Sequence, residues 1–135
     1  MRRFWNDIMA AGMAVVAVGT LGLAAQTKSG PARNPVASTP KSIATGQAVF
    51  QKYCRFCHGA DARGDGPQAP KDTHPPNLTD DKWEHGSTES EIFTVIKDGV
   101  GPKYDMKGFN SKLTPQEMWS VVNYLRSIGP KTSTR

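Results

Sequence analysis

The sequence of 135 residues predicts a small all-α domain with long loops. Two segments, Thr88-Glu-Ser-Glu91 and Thr114-Pro-Gln-Glu117, begin with a threonine followed three residues later by a glutamate, a pattern typical of helix starts. Residues 59–82 are mostly Gly, Pro, Asp, Lys and Asn, which predicts a long loop. Alternating strand-like patterns are nearly absent. We therefore expect three or more short helices joined by long connections.

The first 25 residues have the composition of a signal peptide or an N-terminal membrane anchor. Arg2 and Arg3 precede an uncharged run rich in Ala, Val and Gly that extends over residues 8–25. Small residues end this run, so we expect cleavage after Ala24. An uncleaved membrane tether through residues 8–25 is the alternative, since the run is just long enough to cross a bilayer. Both readings place the rest of the chain in the periplasm, soluble or anchored to the outer face of the cytoplasmic membrane.

Residues 26–41 hold three prolines and no aromatic residue, which predicts a flexible linker. The folded domain is expected over residues 42–129, with a C-terminal tail at 130–135. The whole chain has a formal charge of +5, but residues 42–129 contain 10 Lys/Arg and 11 Asp/Glu, a net charge of −1. Because the basic excess lies at the ends and no basic helix or phosphate-binding loop is present, we expect no nucleic-acid partner.

The first predicted helix runs from Ser42, as its N-terminal cap, to about Tyr53. It contains Gly46, although glycine inside a helix costs up to about 1 kcal/mol relative to alanine. We interpret this glycine as a point where another group approaches the helix backbone. The second helix follows Thr88 and ends at Gly99.

The last predicted helix follows Thr114 and ends at Gly129-Pro130. Its Met118 lies on the apolar face, which indicates core packing. A small domain with so few helical residues buries too little apolar surface to be stable by itself. A metal, a disulfide or a large bound group must therefore contribute to stability.

Residues 52–61 read KYCRFCHGAD and contain both cysteines of the chain. A disulfide between Cys54 and Cys57 would close a very small loop and stabilise little. A dithiol redox motif needs a βαβ setting, and a zinc site needs a second Cys/His pair; the sequence offers neither. Two thiols three residues apart with a following histidine are instead typical of covalent haem attachment. We expect one haem c, attached through Cys54 and Cys57, with His58 as an axial iron ligand.

From Gly46 to Ile128 the chain resembles the class I c-type cytochromes. The resemblance is carried by the segments GQAVFQKYCRFCHG, GDGP, PPNL, EIFTVIKDGV, MKGF and TPQEMWSVVNYLRSIG. It implies an all-α cytochrome c fold of short helices around one haem. It also implies that Gly46 and Phe50 of the first helix pack against the last helix at Val121 and Tyr124.

Met106 is the expected sixth ligand of the iron. It lies in the flexible segment GVGPKYDMKGF, 48 residues beyond His58, and the resemblance selects the same methionine. A His/Met ligand pair raises the reduction potential. His74 and His85 are the alternatives for a bis-histidine site, but both are expected to be ordinary exposed residues of polar loops.

Position 107 departs from the family, which usually has proline directly after the ligand methionine. Lys107 stands there, so the loop lacks the stiffness that proline would add. We expect the Met106–iron bond to be labile at alkaline pH, with a lysine amine displacing the thioether. Persistence at high pH of the near-infrared charge-transfer band of Met-ligated ferric iron would contradict this expectation.

Further haem-lining candidates are Pro76, Leu78, Trp83 and Phe109. The resemblance implies that the Pro76 carbonyl accepts a hydrogen bond from the second ring nitrogen of His58, although an ordinary Pro-Pro turn is the alternative. Trp83 either donates a hydrogen bond to a haem propionate or packs against the haem edge. Phe109 is expected to cover the methionine side, and the role of Tyr104 is left open.

These features predict a monohaem electron carrier that is not an enzyme, because both axial positions are filled and substrate has no place on the iron. Redox partners would dock transiently at the exposed haem edge through a small interface. One alternative is a haem-bearing subunit held permanently in a larger oxidase or dehydrogenase. A third reading, an open-site haem sensor or enzyme, requires that Met106 does not bind; prompt carbon monoxide binding to the ferrous protein would support it.

Overall fold

The computed structural model describes residues 33–72, 74–101 and 106–130. Its elements in chain order are α1 Pro40–Tyr53, α2 Arg55–His58, α3 Glu89–Asp98, β1 Gly99–Val100, β2 Met106–Lys107 and α4 Pro115–Ile128. The predicted all-α class is therefore confirmed, with one two-residue hairpin added. The expected signal or anchor at residues 1–25 lies outside the described residues. In the ranges given, no helix has the length and apolar character needed to cross a membrane.

The two predicted capping boxes are present. Thr88 and Thr114 each accept a hydrogen bond from the backbone of the glutamate three residues later, and each glutamate side chain accepts one in return. α1 differs from the prediction, because its N-terminal cap is Thr39 and not Ser42. Thr39 and Ser42 form a third reciprocal box, and Pro40 occupies the first helical turn, where proline is well tolerated.

The expectation of a flexible linker up to residue 41 is wrong for residues 33–41. The side chain of Asn123 in α4 donates hydrogen bonds to the backbone oxygens of Val36 and Ala37, at 3.0 and 3.3 Å. Asn34 in turn donates to the Asn123 side-chain oxygen at 2.8 Å. Asn123 is only 2% exposed, so the segment before α1 closes over a buried polar group. Local composition does not reveal partners that lie more than 80 residues away.

α1 crosses α4 at Gly46, as the resemblance implied. A Cβ atom at position 46 would overlap the carbonyl group of Ser120 and lie 2.9 Å from the Cβ of Tyr124. Next to the crossing, the ring of Phe50 packs on that of Tyr124 with centroids 5.4 Å apart. Phe50 and Val121 are each 1% exposed. Glycine is therefore required in α1 because the two helix backbones are in contact.

α3 packs on α4 through stacked rings and also holds the hairpin. The rings of Phe93 and Trp119 are stacked with centroids 4.1 Å apart. β1 pairs antiparallel with β2, which places Val100 opposite Met106. The backbone N–H of Phe109 donates to the Ile96 carbonyl at 2.9 Å. The segment that contains Met106 is thereby attached to the C-terminal end of α3.

Candidate haem site

The cysteine motif forms a separate helical turn directly after α1. Cys54 ends α1, and the backbone N–H groups of Cys57 and His58 donate to its carbonyl at 3.2 and 3.0 Å. Neither cysteine forms a disulfide. The two thiols and the imidazole are thus presented from a single helical turn.

The following loop wraps tightly around this turn. The N–H groups of Gly64 and Gly66 donate to the carbonyls of His58 and Cys57, at 2.8 and 3.0 Å. Gly64 has a φ of +83°, in the left-handed region that glycine adopts easily. A Cβ at position 66 would overlap the Phe56 carbonyl. The GDGP segment is glycine-rich because the backbone at Gly64 and at Gly66, on either side of the aspartate, is in direct contact with the backbone of other residues.

A cavity of about 430 Å³ opens on the inner side of this turn, within the size range of roughly 300–1,000 Å³ typical of cofactor sites. All eight haem-site candidates from the sequence line it: Cys54, Cys57, His58, Pro76, Leu78, Trp83, Met106 and Phe109. Met106 reaches the cavity from β2, whereas Met118 is buried in the core at 2% exposure, as expected. Tyr104 lies outside the described residues.

Burial sets the protonation of the imidazole and of one thiol. Desolvation lowers the pKa of His58, which favours the neutral imidazole that binds metals. Desolvation, together with the neighbouring Cys57, raises the pKa of Cys54 to about 12, so this thiol is protonated at neutral pH in the folded chain. Among the described residues, no three His, Cys, Asp or Glu side chains are grouped closely enough to hold a bare metal ion.

The predicted hydrogen bond from His58 to Pro76 is not formed. His58 Nδ1 is buried and has no hydrogen-bond partner in the described ranges. The carbonyls of Pro75 and Pro76 instead lie against Gly64, where a Cβ would overlap the first and lie 3.3 Å from the second. Nδ1 is the ring nitrogen that would not bind iron, so a bound haem does not supply its missing hydrogen-bond partner. The fit to a haem depends instead on the two free thiols, the imidazole of the same helical turn and the largely apolar walls.

The rim of the cavity is polar. His74 and His85 are exposed, as expected, but both also line the cavity. Trp83 is half-buried and packs under the guanidinium of Arg126, 5.5 Å from its ring centroid. This packing places the indole in the cavity wall and leaves both predicted roles of Trp83 as hypotheses.

Several residues that line the cavity are not among the site candidates identified from the sequence. Tyr53 contacts Phe109 edge-to-face, with ring centroids 6.1 Å apart, and both rings line the cavity. Ile92, Ile96 and Leu125 complete the apolar wall from α3 and α4. Helical spacing indicates which side chains point inward, but it cannot distinguish a helix–helix contact from a contact with a bound group.

The fold and the cysteine–histidine turn are those of a class I c-type cytochrome, the class of proteins that carry haem c. Residues 41–125 match the family described as cytochrome c oxidase, cbb3-type, subunit III. Since this match spans more than half of the 135 residues, the chain belongs to that family. It provides an electron-transfer cytochrome domain.

Relatives and solved structures agree with this assignment. The CcoP subunit of the cbb3-type cytochrome c oxidase of Rubrivivax gelatinosus is 36% identical over 94 residues, which cover 69% of this chain and 28% of that subunit. The chain thus corresponds to less than a third of that relative's length. The Kuenenia stuttgartiensis reducing HAO-like protein complex Kustc0457/Kustc0458 matches with a TM-score of 0.63 at 25% identity, covering 70% of this chain and 47% of the other. Cytochrome cL of Methylophaga aminisulfidivorans matches with a TM-score of 0.55 at 25% identity, covering 67% and 55%.

Proposed function

We propose that this chain is a haem-bearing electron-transfer subunit of a cbb3-type oxidase complex on the periplasmic side of the membrane. The observation that carries the proposal is the convergence of Cys54, Cys57, His58 and Met106 on one largely apolar cavity. The curated relative from Rubrivivax gelatinosus is a subunit of such an oxidase, which supports a permanent complex better than a free carrier.

In this proposal each of the four residues has a separate task. The two thiols hold one haem covalently, which prevents its loss outside the cell. His58 supplies the imidazole ligand from the same helical turn, and Met106 supplies a thioether from β2. A bound haem contributes one-electron iron chemistry with a high potential, since the thioether favours the ferrous state. The apolar walls exclude water, so a change of charge requires little solvent reorganisation.

The covalent attachment is tested by expressing the full chain together with a haem-attachment machinery and measuring its intact mass. We expect the mass of one haem to be added and to survive acid–acetone extraction. Cys54→Ser/Cys57→Ser should lose the covalent mass. A colourless exported protein, or pigment that acid–acetone removes, would contradict the proposal. The same mass reports whether residues 1–24 are removed or kept as an anchor.

Met106 ligation is tested by spectroscopy of the haem-loaded protein. We expect a low-spin spectrum with a near-infrared methionine band that Met106→Ala abolishes. Met118→Leu is the matched control, because its side chain is in the core, and should leave the band unchanged. Prompt stoichiometric carbon monoxide binding by the unaltered ferrous protein would support an open-site haem protein instead.

The oxidase complex is tested by mild solubilisation of membranes that contain the full chain. We expect the haem-loaded chain to co-migrate with oxidase activity through size-exclusion chromatography. Migration as a separate small protein that is still reduced and oxidised by other proteins would favour the free monohaem carrier, with transient docking at the haem edge. In both cases the haem site itself is the same.

A further inference from the structure

Five consecutive residues, 82–86, form one wall of the cavity without belonging to any helix or strand. We refer to residues 82–86 as the wall segment. Its Lys82 N–H donates to the Asp80 side chain at 2.9 Å, which is a local turn, and Gly86 packs against the Glu91 side chain. The backbone hydrogen bonds of the described residues do not tie the wall segment to the helical core. Side-chain contacts must therefore hold it in place.

Arg126 of α4 makes two such contacts, one at each end of the wall segment. Its guanidinium donates a hydrogen bond to the carbonyl of Ser87, directly after the segment. The same guanidinium lies 5.5 Å from the ring centroid of Trp83. A planar guanidinium can donate in its plane while stacking its face on an aromatic ring, which an ammonium group cannot do.

We infer that Arg126 is a positioning residue: it holds the wall segment against α4 and thereby keeps Trp83 in the cavity wall. This inference rests on the proposed haem-binding function. Two effects of Arg126 on the iron act in the same direction. Its positive charge behind the indole favours the ferrous state, and the closed wall excludes the water that would stabilise the ferric state.

The test uses the full chain, loaded with haem, as Arg126→Gln and Arg126→Lys. The matched control is Lys41→Gln, which removes one positive charge from an exposed side chain that does not line the cavity. Trypsin cuts after lysine, so cleavage after Lys82 reports opening of the wall segment. Cleavage after the exposed Lys112, which lies in another loop, reports general loosening of the fold.

In Arg126→Gln we expect cleavage after Lys82 to be about tenfold faster, while cleavage after Lys112 is unchanged, because only a local opening becomes easier. At a fixed solution potential, the ratio of reduced to oxidised protein should fall about threefold. Arg126→Lys keeps the positive charge but lacks the planar guanidinium. We therefore expect both changes, in the cleavage rate and in the ratio of reduced to oxidised protein, to be smaller than in Arg126→Gln. Lys41→Gln should match the unaltered protein.

The inference is overturned if Arg126→Gln is cleaved after Lys82 at the unaltered rate, or if cleavage after Lys82 and Lys112 accelerates equally. An unchanged ratio of reduced to oxidised protein would also overturn the effect on the iron. If Arg126→Gln does not accumulate, the same two cleavage rates in Arg126→Lys decide the question. A protein that purifies without haem refutes the proposed function, whereas a haem-loaded Arg126→Gln that is cleaved after Lys82 at the unaltered rate refutes only the role of Arg126.

Discussion

The α1–α4 crossing and the walls of the haem cavity are held together by different means. At the crossing, Gly46 lets two helix backbones touch, and Phe50 and Tyr124 pack beside them. The buried amide of Asn123 adds hydrogen bonds to the segment before α1. In the cavity wall, by contrast, residues 82–86 lack regular structure and face an opening of about 430 Å³.

This difference shows which part of the fold is stable through contacts within the chain alone. The crossing fills its own interior with side chains, so its stability depends on contacts within the chain. The cavity walls are apolar and enclose a volume that the protein's own side chains do not fill. Their stability therefore depends on the bound group, and four predictions separate the two regions.

Preventing haem attachment should have the largest effect. Without haem, the apolar lining of a cavity of about 430 Å³ is exposed to water. A small domain has only about 5–15 kcal/mol of stability, so this loss of apolar burial is a large fraction of the total. We expect the chain produced without haem to show no cooperative unfolding transition by circular dichroism. A sharp transition near that of the haem-loaded protein would show that the walls are stable alone.

Gly46→Ala should break the crossing while leaving the cavity residues unchanged. The added methyl group overlaps the Ser120 carbonyl, and relief requires the two helices to separate, at a cost of about 3 kcal/mol. Chemical denaturation of the haem-loaded protein measures this loss. Gln47→Ala, on the exposed side of the same helix, should have little effect. Equal stability of the two variants would mean that the helices do not touch at Gly46.

Asn123→Ala should release the segment before α1 at a cost of about 2 kcal/mol. In the intact protein the side-chain amide nitrogen of Asn123 lies 3.0 and 3.3 Å from the carbonyl oxygens of Val36 and Ala37. The substitution removes this donor from both carbonyls. Amide hydrogen exchange should accelerate more at the start of α1 than in α3. Gln116→Ala, an exposed position of α4, is the control. If exchange at the start of α1 stays slow, the amide does not hold this segment.

The smallest expected effect concerns the cap of α3, next to the wall segment. Hydrogen bonds from the backbone N–H and the hydroxyl of Thr88 lower the pKa of Glu91 below its ordinary value of 4.5. Because the pKa of the folded state is the lower one, this carboxylate stabilises the fold fully above the unfolded value. The contribution is lost as pH falls through the folded value.

Glu91→Gln should therefore lower the unfolding midpoint slightly at pH 7, and the difference from the unaltered protein should shrink as the solution is acidified below about pH 4. Denaturant titrations at several pH values measure the difference. Asp81→Asn, which removes another exposed carboxylate from the preceding loop, is the matched control. A difference that is constant down to low pH would show that the cap does not depend on the charge.

The parts of the fold that sequence reasoning predicted correctly depend on neighbours within a few residues. The caps at Thr88 and Thr114 each join residues three apart, and the cysteine motif occupies one helical turn. Gly46 was predicted as a contact point because glycine destabilises the interior of a helix relative to alanine, and a close backbone contact would explain its presence there. The predicted Pro76 hydrogen bond is not formed, since it depends on how the loop after the cysteine motif folds back on itself at Gly64.

The sequence by itself determined the helices, their caps and the chemistry of the thiol and imidazole groups, because hydrogen bonds between near neighbours form wherever those neighbours occur. Only the tertiary structure decided that Asn123 orders the segment before α1, that Met106 reaches the cavity from a hairpin, and that Arg126 meets the wall segment. These contacts join residues far apart in the chain. Each forms only when distant segments pack together, and no local sequence pattern records that packing.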